Sequence, residues 1–361
     1  LPLRIAQVAP LYEAVPPRLY GGTERIVAHL TDALVDLGHE VTLFSSADAR
    51  TRAKLVAVRD QAIRLDPHPL KSDLAAHLSM LHELHGRRDD FDIIHFHVDL
   101  THFPFFEDLA DRTVTTLHGR LDLADLPEVY RRWRGYPLVS ISNSQRAPLP
   151  DANWLATLPH GVADTTYTFN AAPDTPPYLA FLGRISPEKR PDRAIAIAKQ
   201  AGMRLKIAAK VDPADVAYYR EVIAPLLDDP LIEFIGEIGD CDKSAFLGNA
   251  TALLFPIDWP EPFGLVMIEA LACGTPVIAW KCGSVPEILD DGKTGFIVEN
   301  EDEAVRAVTR LHMIDRLNVR AAFEQRFTAT VMARNYLRLY WRLLAGNLQG
   351  GSVPQKRELV S

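Results

Sequence analysis

Short runs of β-forming residues alternate with amphipathic helical patterns along this chain, and the alternation occurs twice. No other feature constrains the fold as much, because parallel strands need a long crossover and a helix is the usual one. "LRIAQVA" (3–9) reads as a buried strand, and the following segment sets Ile26, Val27, Leu30, Leu34 and Leu37 at helical spacing before Gly38. "EVTLFSS", "FDIIHFH" (91–97), "TVTTLHG" (113–119) and "PLVSISN" (137–143) continue the strands. Around 164–177, "DTTYTFNAAPDTPP" is polar, carries prolines and has no period, the composition of a linker. The pattern then restarts: "YLAFLGR" (178–184), "MRLKIAA" (203–209), "LIEFIG" (231–236), "ALLFP" (252–256), "TPVIAW" (275–280) and "TGFIVE" (294–299). The expected class is α/β, with two Rossmann-like, doubly wound parallel-sheet domains (1–168 and 178–327) facing a cleft. Ligands of such sheets sit beyond the carboxyl ends of the strands, so functional residues are sought there.

The length of 361 residues suits two cores better than one. No run of eighteen apolar residues is present, and the opening "LPLRIAQVAP" lacks the pattern of a secretory signal. Cys241, Cys273 and Cys282 have no CxxC spacing and cannot all pair, which points to a reducing compartment. A net charge of −8 argues against generic nucleic-acid binding. The chain reads as a soluble cytoplasmic protein.

"EPFGLVMIEALACGTPV" (261–277) sets Glu261 and Glu269 eight positions apart across a Pro-Phe-Gly step. On a continuous helix they would be about 12 Å apart along the axis. A glycosidase pair needs carboxyls roughly 5 to 9.5 Å apart on one sugar, so that role fits poorly. Pro262 suits a first helical turn, and the amides of Phe263, Gly264 and Leu265 would then be free to bind a hydroxyl or phosphate. Solvated helix glutamates are the bland alternative, but Glu269 stands in an apolar run where an unpaired carboxylate is costly.

Other motifs are weaker alone. "FLGRISPEKRPDRAI" puts Arg184, Lys189 and Arg190 on a loop between a strand and a helix starting at Pro191, which suits a pyrophosphate. Gly21 and Gly22 open the first helix, but they are not GxGxxG and lie a dozen residues past the strand, against a nicotinamide site. His118 and Gly119 end a strand where the cleft is expected. His95 and His97 share a sheet face, with no third ligand at suitable spacing, and read as core or rim residues. Asp240 and Asp242 form a DxD before a short helix, where a capping role explains them. No G-x-S-x-G elbow accompanies the serines.

Together these motifs resemble the retaining glycosyltransferases of family 4, which have the GT-B fold. The resemblance covers nearly the whole length. It rests on the E-x7-E motif of Glu261 and Glu269, with "GGTERIVAHLTDALVDLGHEVTLFSS", "DIIHFH", "TLHG", "SNS", "PHGV" and "GRISPEKRPDRAI". It implies that Glu261 and the amides of Phe263, Gly264 and Leu265 hold the donor sugar. Glu269 then holds the nucleotide ribose, and Arg184 and Lys189, beside Gly183, hold the pyrophosphate. Gly21 and Gly22 close on that pyrophosphate, His118 lies at the reacting centre, and backbone near Gly236 and Ile238 reads the base. The resemblance also sends a C-terminal helix (328–346) back to the first domain. Three local departures stand out: "PHGVAD" for the commoner "PNGVD", "EKRP" for "EKG", and "CGS" for "GG".

The implied reaction is metal-independent transfer of a hexosyl group from a nucleoside-diphosphate sugar to an acceptor hydroxyl, with retention and no cofactor. The base, the sugar and the acceptor are open. An epimerase of similar fold and a non-catalytic nucleotide-sugar binder are the rival readings. Basic stretches (Arg50, Arg52, Lys54, Arg59, Arg64, and "YRRWRG" at 130–135) read first as solvated surface. Peripheral contact with the inner membrane face is the alternative there.

Overall fold

The computed structural model describes residues 2–19 and 21–349. The first sheet contains β1 (Arg4–Val8), β2 (Glu40–Ser45), β3 (Lys54–Ala57), β4 (Ile93–Phe96), β5 (Thr113–Thr116), β6 (Leu138–Ser140) and β7 (Trp154–Thr157). The second contains β8 (Tyr178–Arg184), β9 (Arg204–Lys210), β10 (Ile232–Gly236), β11 (Ala252–Phe255), β12 (Val277–Trp280) and β13 (Gly295–Val298). Their spatial orders are β3-β2-β1-β4-β5-β6-β7 and β10-β9-β8-β11-β12-β13. Every pairing between these strands is parallel. This is two doubly wound α/β sheets, as expected.

Both faces of the first sheet are covered, so neighbouring apolar residues are buried in opposite directions. Ile5 and Ile93 pack with Ile26, Leu30 and Leu34 of the helix Gly22–Asp36, while Ala6, Ile94 and Phe96 pack with Leu81 and Leu84 of the helix Asp73–Gly86. The sequence reading missed β3 and β7. Both are four-residue strands at a sheet edge, and neither is fully buried, so neither carries a long apolar run.

After β13 the chain returns to the first sheet. Val162 and Thr328 pair side by side, and a Cβ at Gly161 would lie 2.4 Å from the Thr328 carbonyl oxygen, so the close approach requires glycine. The long helix Ala329–Gln349 then packs along the helix Gly22–Asp36. It buries Tyr336 and Tyr340 against the first sheet, where they reach Thr116 and His95. Among the described residues no helix is long and apolar enough to cross a membrane.

Candidate active site

In each sheet the strand order reverses once, between β1 and β4 and between β8 and β11. Crevices at such reversals are the usual ligand sites of open parallel sheets. Here the strand ends of both halves line a single cleft of about 1060 Å³.

From the second sheet, Arg184 is the last residue of β8 rather than a loop residue. Its guanidinium lies among three carboxylates, with Asp215 at 3.4 Å and Asp212 and Glu188 at 3.7 Å. Its buried Nε is the atom that faces Asp215, at ion-pair distance but without a hydrogen bond among the described residues. Lys189 follows on the loop. Its ammonium pairs with Glu261, and it sits 5.2 Å from the centre of the Trp259 ring. Trp259 Nε1 donates to the same Glu261 carboxylate at 2.8 Å.

Glu261 and Glu269 do not share a helix. Gly264 takes a left-handed conformation (φ 80°), and the helix runs only from Leu265 to Ala272, leaving Pro262 outside it. That φ favours glycine, and a Cβ there would also press on Phe255 at 3.0 Å and on the flexible end of Met267 at 2.8 Å. Among the described residues, the amides of Phe263, Gly264 and Leu265 donate to no protein group, and all three residues line the cleft. Ser284 of the "CGS" departure supports this turn: its amide donates to the Glu261 carbonyl and its hydroxyl to that of Phe263.

Glu269 is buried, and the partner that its apolar surroundings call for is Lys243, whose Nζ lies 3.6 Å away. Burial opposes its ionisation, but the charges of Lys243 and Arg25 outweigh that and hold its pKa below the usual carboxylate range. The DxD is corrected as well. Asp240 caps nothing; it is the first residue of the helix Asp240–Gly248 and pairs with Arg25 at 2.8 Å and Lys243 at 3.3 Å. Among the described residues no group of three His, Cys, Asp or Glu side chains is arranged to hold a metal.

The first sheet contributes Gly21 and Gly22 at the start of its first helix. A Cβ at Gly22 would lie 3.5 Å from Leu265 of the other half. His118, just past β5, touches His97 and His160, and desolvation lowers its pKa to about 3. His95 and His97 are buried, as core and rim.

Of the residues singled out in the sequence, Gly21, Gly22, His118, Gly183, Arg184 and Lys189 all line the cleft. So do Ile238, Glu261, Phe263, Gly264, Leu265 and Glu269. Gly236 does not; it turns the chain at the end of β10 with a φ of 78°. Of the basic residues, Arg52, Arg59 and Arg64 are held by Asp36, Asp66 and Glu13. Sequence reading missed Arg25, Lys243 and Trp259. It also missed two cleft carboxyls: Glu24, which burial raises to about 7, and the exposed Asp99. Asp99 had no sequence signal; its mark is a left-handed backbone (φ 51°) at the end of β4.

A family profile described as Glycosyltransferase Family 4 matches residues 20–217, and one described as Glycosyl transferases group 1 matches 164–326. The chain belongs to glycosyltransferase family 4. A D-inositol 3-phosphate glycosyltransferase of Mycolicibacterium smegmatis is 31% identical over 212 residues, 54% of this chain and 46% of that protein. A phosphatidyl-myo-inositol mannosyltransferase of Mycobacterium leprae is 26% identical over 377 positions, 94% of this chain and 96% of that one. This family 4 chain thus spans about half the length of the first relative and nearly all of the second. Among solved structures, AviGT4, a glycosyltransferase involved in avilamycin A biosynthesis, superposes with a TM-score of 0.72 at 26% identity, covering 96% of this chain and 99% of its own. HepE of Anabaena, in complex with UDP and glucose, superposes with a TM-score of 0.72 at 17% identity over 94% of this chain and all of its own, and so shares the GT-B fold.

Proposed function

We propose that the chain is a retaining glycosyltransferase that moves a hexosyl group from a nucleoside-diphosphate sugar to an acceptor hydroxyl without a metal ion. The observation that carries this reading is the set of undonated amides at residues 263–265, which face the same cleft as Lys189 and an Arg184 guanidinium held by ion pairs. A diphosphate with an attached sugar supplies acceptors to all of them. Lys189 exchanges Glu261 for a phosphate oxygen, and the freed Glu261 takes sugar hydroxyls. Glu269, on its Lys243 support, takes the ribose hydroxyls. Gly21, Gly22 and Gly183 approach the diphosphate, and the chain at Glu237 and Ile238 meets the base.

Transfer proceeds on one face of the anomeric carbon. The acceptor oxygen bonds to that carbon as its bond to the phosphate oxygen breaks, and the electron pair leaves with the diphosphate. The acceptor proton passes to a phosphate oxygen. Arg184, Lys189 and the helix end at Leu265 stabilise the charge that grows there. The mycobacterial relatives are named for glycosyl transfer to inositol derivatives and HepE has been seen with UDP-glucose, which supports a hexosyl donor in class.

The test is a panel of UDP-, GDP- and ADP-hexoses in EDTA, read by melting temperature, by nucleoside diphosphate release and by the anomeric configuration of the product. One donor is expected to raise the melting temperature and be cleaved with retention. A panel in which none binds or turns over defeats the reading, and turnover without transfer to any acceptor or water would favour an epimerase.

A further inference from the structure

His118 sits at one end of a hydrogen-bonded row that begins in the core. Gln7, near the carboxyl end of β1 and fully buried, has its Oε1 2.8 Å from His97 Nε2. His97 Nδ1 lies 2.8 Å from His118 Nε2, and His118 Nδ1 lies 3.3 Å from His160 Nε2. The last two rings are stacked, with centres 5.1 Å apart.

The row has a direction. An amide oxygen only accepts, so His97 Nε2 carries a proton, and in a neutral ring Nδ1 is then bare. His118 must therefore donate from Nε2 to His97, and its own bare Nδ1 accepts from His160 Nε2–H. That leaves His160 Nδ1 bare, and this atom is buried with no partner among the described residues. The opposite direction, obtained by turning the Gln7 amide over, would bury an orphan N–H at that point. Orphan donors are rarer in protein interiors than orphan acceptors, so the far end of the row agrees with the near end. On its other side the Gln7 amide nitrogen reaches Tyr340 Oη at 3.4 Å, and Tyr340 Oη lies 2.7 Å from His95 Nδ1. The returning helix thereby touches the residue that sets the direction.

We propose that Gln7, His97 and His160 are positioning residues that hold His118 as the neutral Nε2–H tautomer with its ring plane fixed. The inference rests on the transferase reading above, with His118 at the reacting centre as the family resemblance implies. A carbon losing its phosphate becomes positive, and an imidazolium beside it would oppose that charge. With both nitrogens committed to neighbouring rings, His118 takes no proton from the acceptor, so the leaving phosphate receives it. The titratable groups packed around the row are His95, His97, His160, Tyr336 and Tyr340. Burial holds its histidines neutral, and on the cleft side Lys189 and Glu261 are paired with each other.

The full chain, labelled with ¹⁵N-histidine and free of donor, reports each tautomer by long-range ¹⁵N–¹H NMR. His97, His118 and His160 are expected as Nε2–H between pH 5.5 and 8. Gln7→Glu puts a carboxylate on His97, bringing its titration into that window; once it is doubly protonated, His118 must accept and turn to Nδ1–H. His160→Asn keeps an N–H donor for His118 and should preserve its tautomer, whereas His160→Leu should let the tautomers mix. A wild-type Nδ1–H at His118, or identical behaviour of His160→Asn and His160→Leu, overturns the proposal even where Gln7→Glu fails to fold. With whichever donor turns over, His160→Leu should lower kcat roughly tenfold at unchanged KM, the scale of losing an orienting partner, and His160→Asn should not. Unchanged kcat removes the positioning role. If no nucleotide-sugar turns over while the tautomers follow the scheme, the transferase reading fails and the wiring stands.

Discussion

The two halves of the cleft share a strand order and a switch point but differ in how they use charge. The second half presents Arg184, Lys189, Lys243, Glu261 and Glu269, each already facing an opposite charge. The first half presents histidines kept neutral by burial, and every histidine of the chain except His312 belongs to it. On the proposed reading the second half supplies a cationic grip for a diphosphate, and the histidine row of the first supplies an uncharged stretch beside the reacting carbon, set among charged residues such as Arg25, Arg64 and Arg120. Ion pairs can exchange partners when a ligand arrives; a row of tautomers stays fixed. The contrast says where rearrangement is expected and where it is not.

The largest effect should come from acid. Burial pushes His95, His97, His102 and His160 well below 6.5, His118 to about 3 and His29 to about 4. Below pH 6.5 the unfolded chain binds protons that the folded rings refuse, so stability falls as the pH drops. Each ring contributes up to about 1.4 kcal/mol per pH unit; Glu24, raised to about 7, binds its proton in the folded state and offsets part of this, but several rings together still approach the whole stability of a domain. Glu269, with a lowered pKa, gives up its contribution only further into acid, below the ordinary carboxylate range. Hydrogen exchange at pH 7.5 and 5.5, corrected for intrinsic rates, should lose protection in β1, β4 and β5 before β8, β11 and β12. Equal loss in both sheets would erase the contrast.

Next in size is the cationic grip. Arg184→Ala and Lys189→Ala should each lower turnover about a hundredfold or more, the cost of removing one electrostatic donor from a leaving group. Turnover should persist in excess EDTA. Activity restored only by manganese, with Lys189→Ala tolerated, would mean that the diphosphate lies elsewhere.

The two glutamates should then separate. Glu269→Gln should weaken nucleoside diphosphate binding about tenfold, near 1.4 kcal/mol, because its proposed partner is the ribose. Glu261→Gln should not weaken it, and can tighten it, because Lys189 loses its competing carboxylate. Its loss should appear in transfer instead. Calorimetry with the diphosphate alone decides; equal weakening in both variants contradicts the assignment.

What the sequence made legible follows from what is local. β4, β5, β8, β9, β11 and β12 are largely buried runs bounded by turn residues, and they show in the chain. β3 and β7 are short edge strands, and composition there looks like loop. Glu269 stood out because its apolar neighbours made a carboxylate anomalous. Its partner Lys243 did not, since the pair joins two helices 26 positions apart and no period records that. His160 was visible as a departure from "PNGVD", but its contact with His118 spans 42 positions. The turn at Gly264 was misread as helix from Pro262 onward because proline is equally at home just before a helix and in its first turn.

The smallest effect should fall next to the largest. Arg190 follows Lys189 and replaces the glycine of the commoner "EKG", so sequence alone leaves it a candidate for the diphosphate. In the structure it points elsewhere: its guanidinium binds Asp192 at 2.8 Å and Asp258 at 2.9 Å, and it does not line the cleft. Its backbone is left-handed (φ 53°), a conformation that costs a non-glycine residue roughly 1–2 kcal/mol and explains why glycine suits the position. Arg190→Gly relieves that strain. It also loosens the unfolded chain by roughly 0.4–1 kcal/mol and removes partly exposed ion pairs worth roughly 0–1 kcal/mol each. Asp192 keeps its bond from the Tyr218 hydroxyl at 2.9 Å, so it is not left bare. These opposing contributions nearly cancel, and stability should change by less than about 1 kcal/mol. Turnover should stay within about twofold of the parent, because no cleft-lining group is lost. A hundredfold loss in Arg190→Gly, matching Lys189→Ala, would put the diphosphate over both residues and extend the cationic grip beyond the Arg184–Lys189 pair.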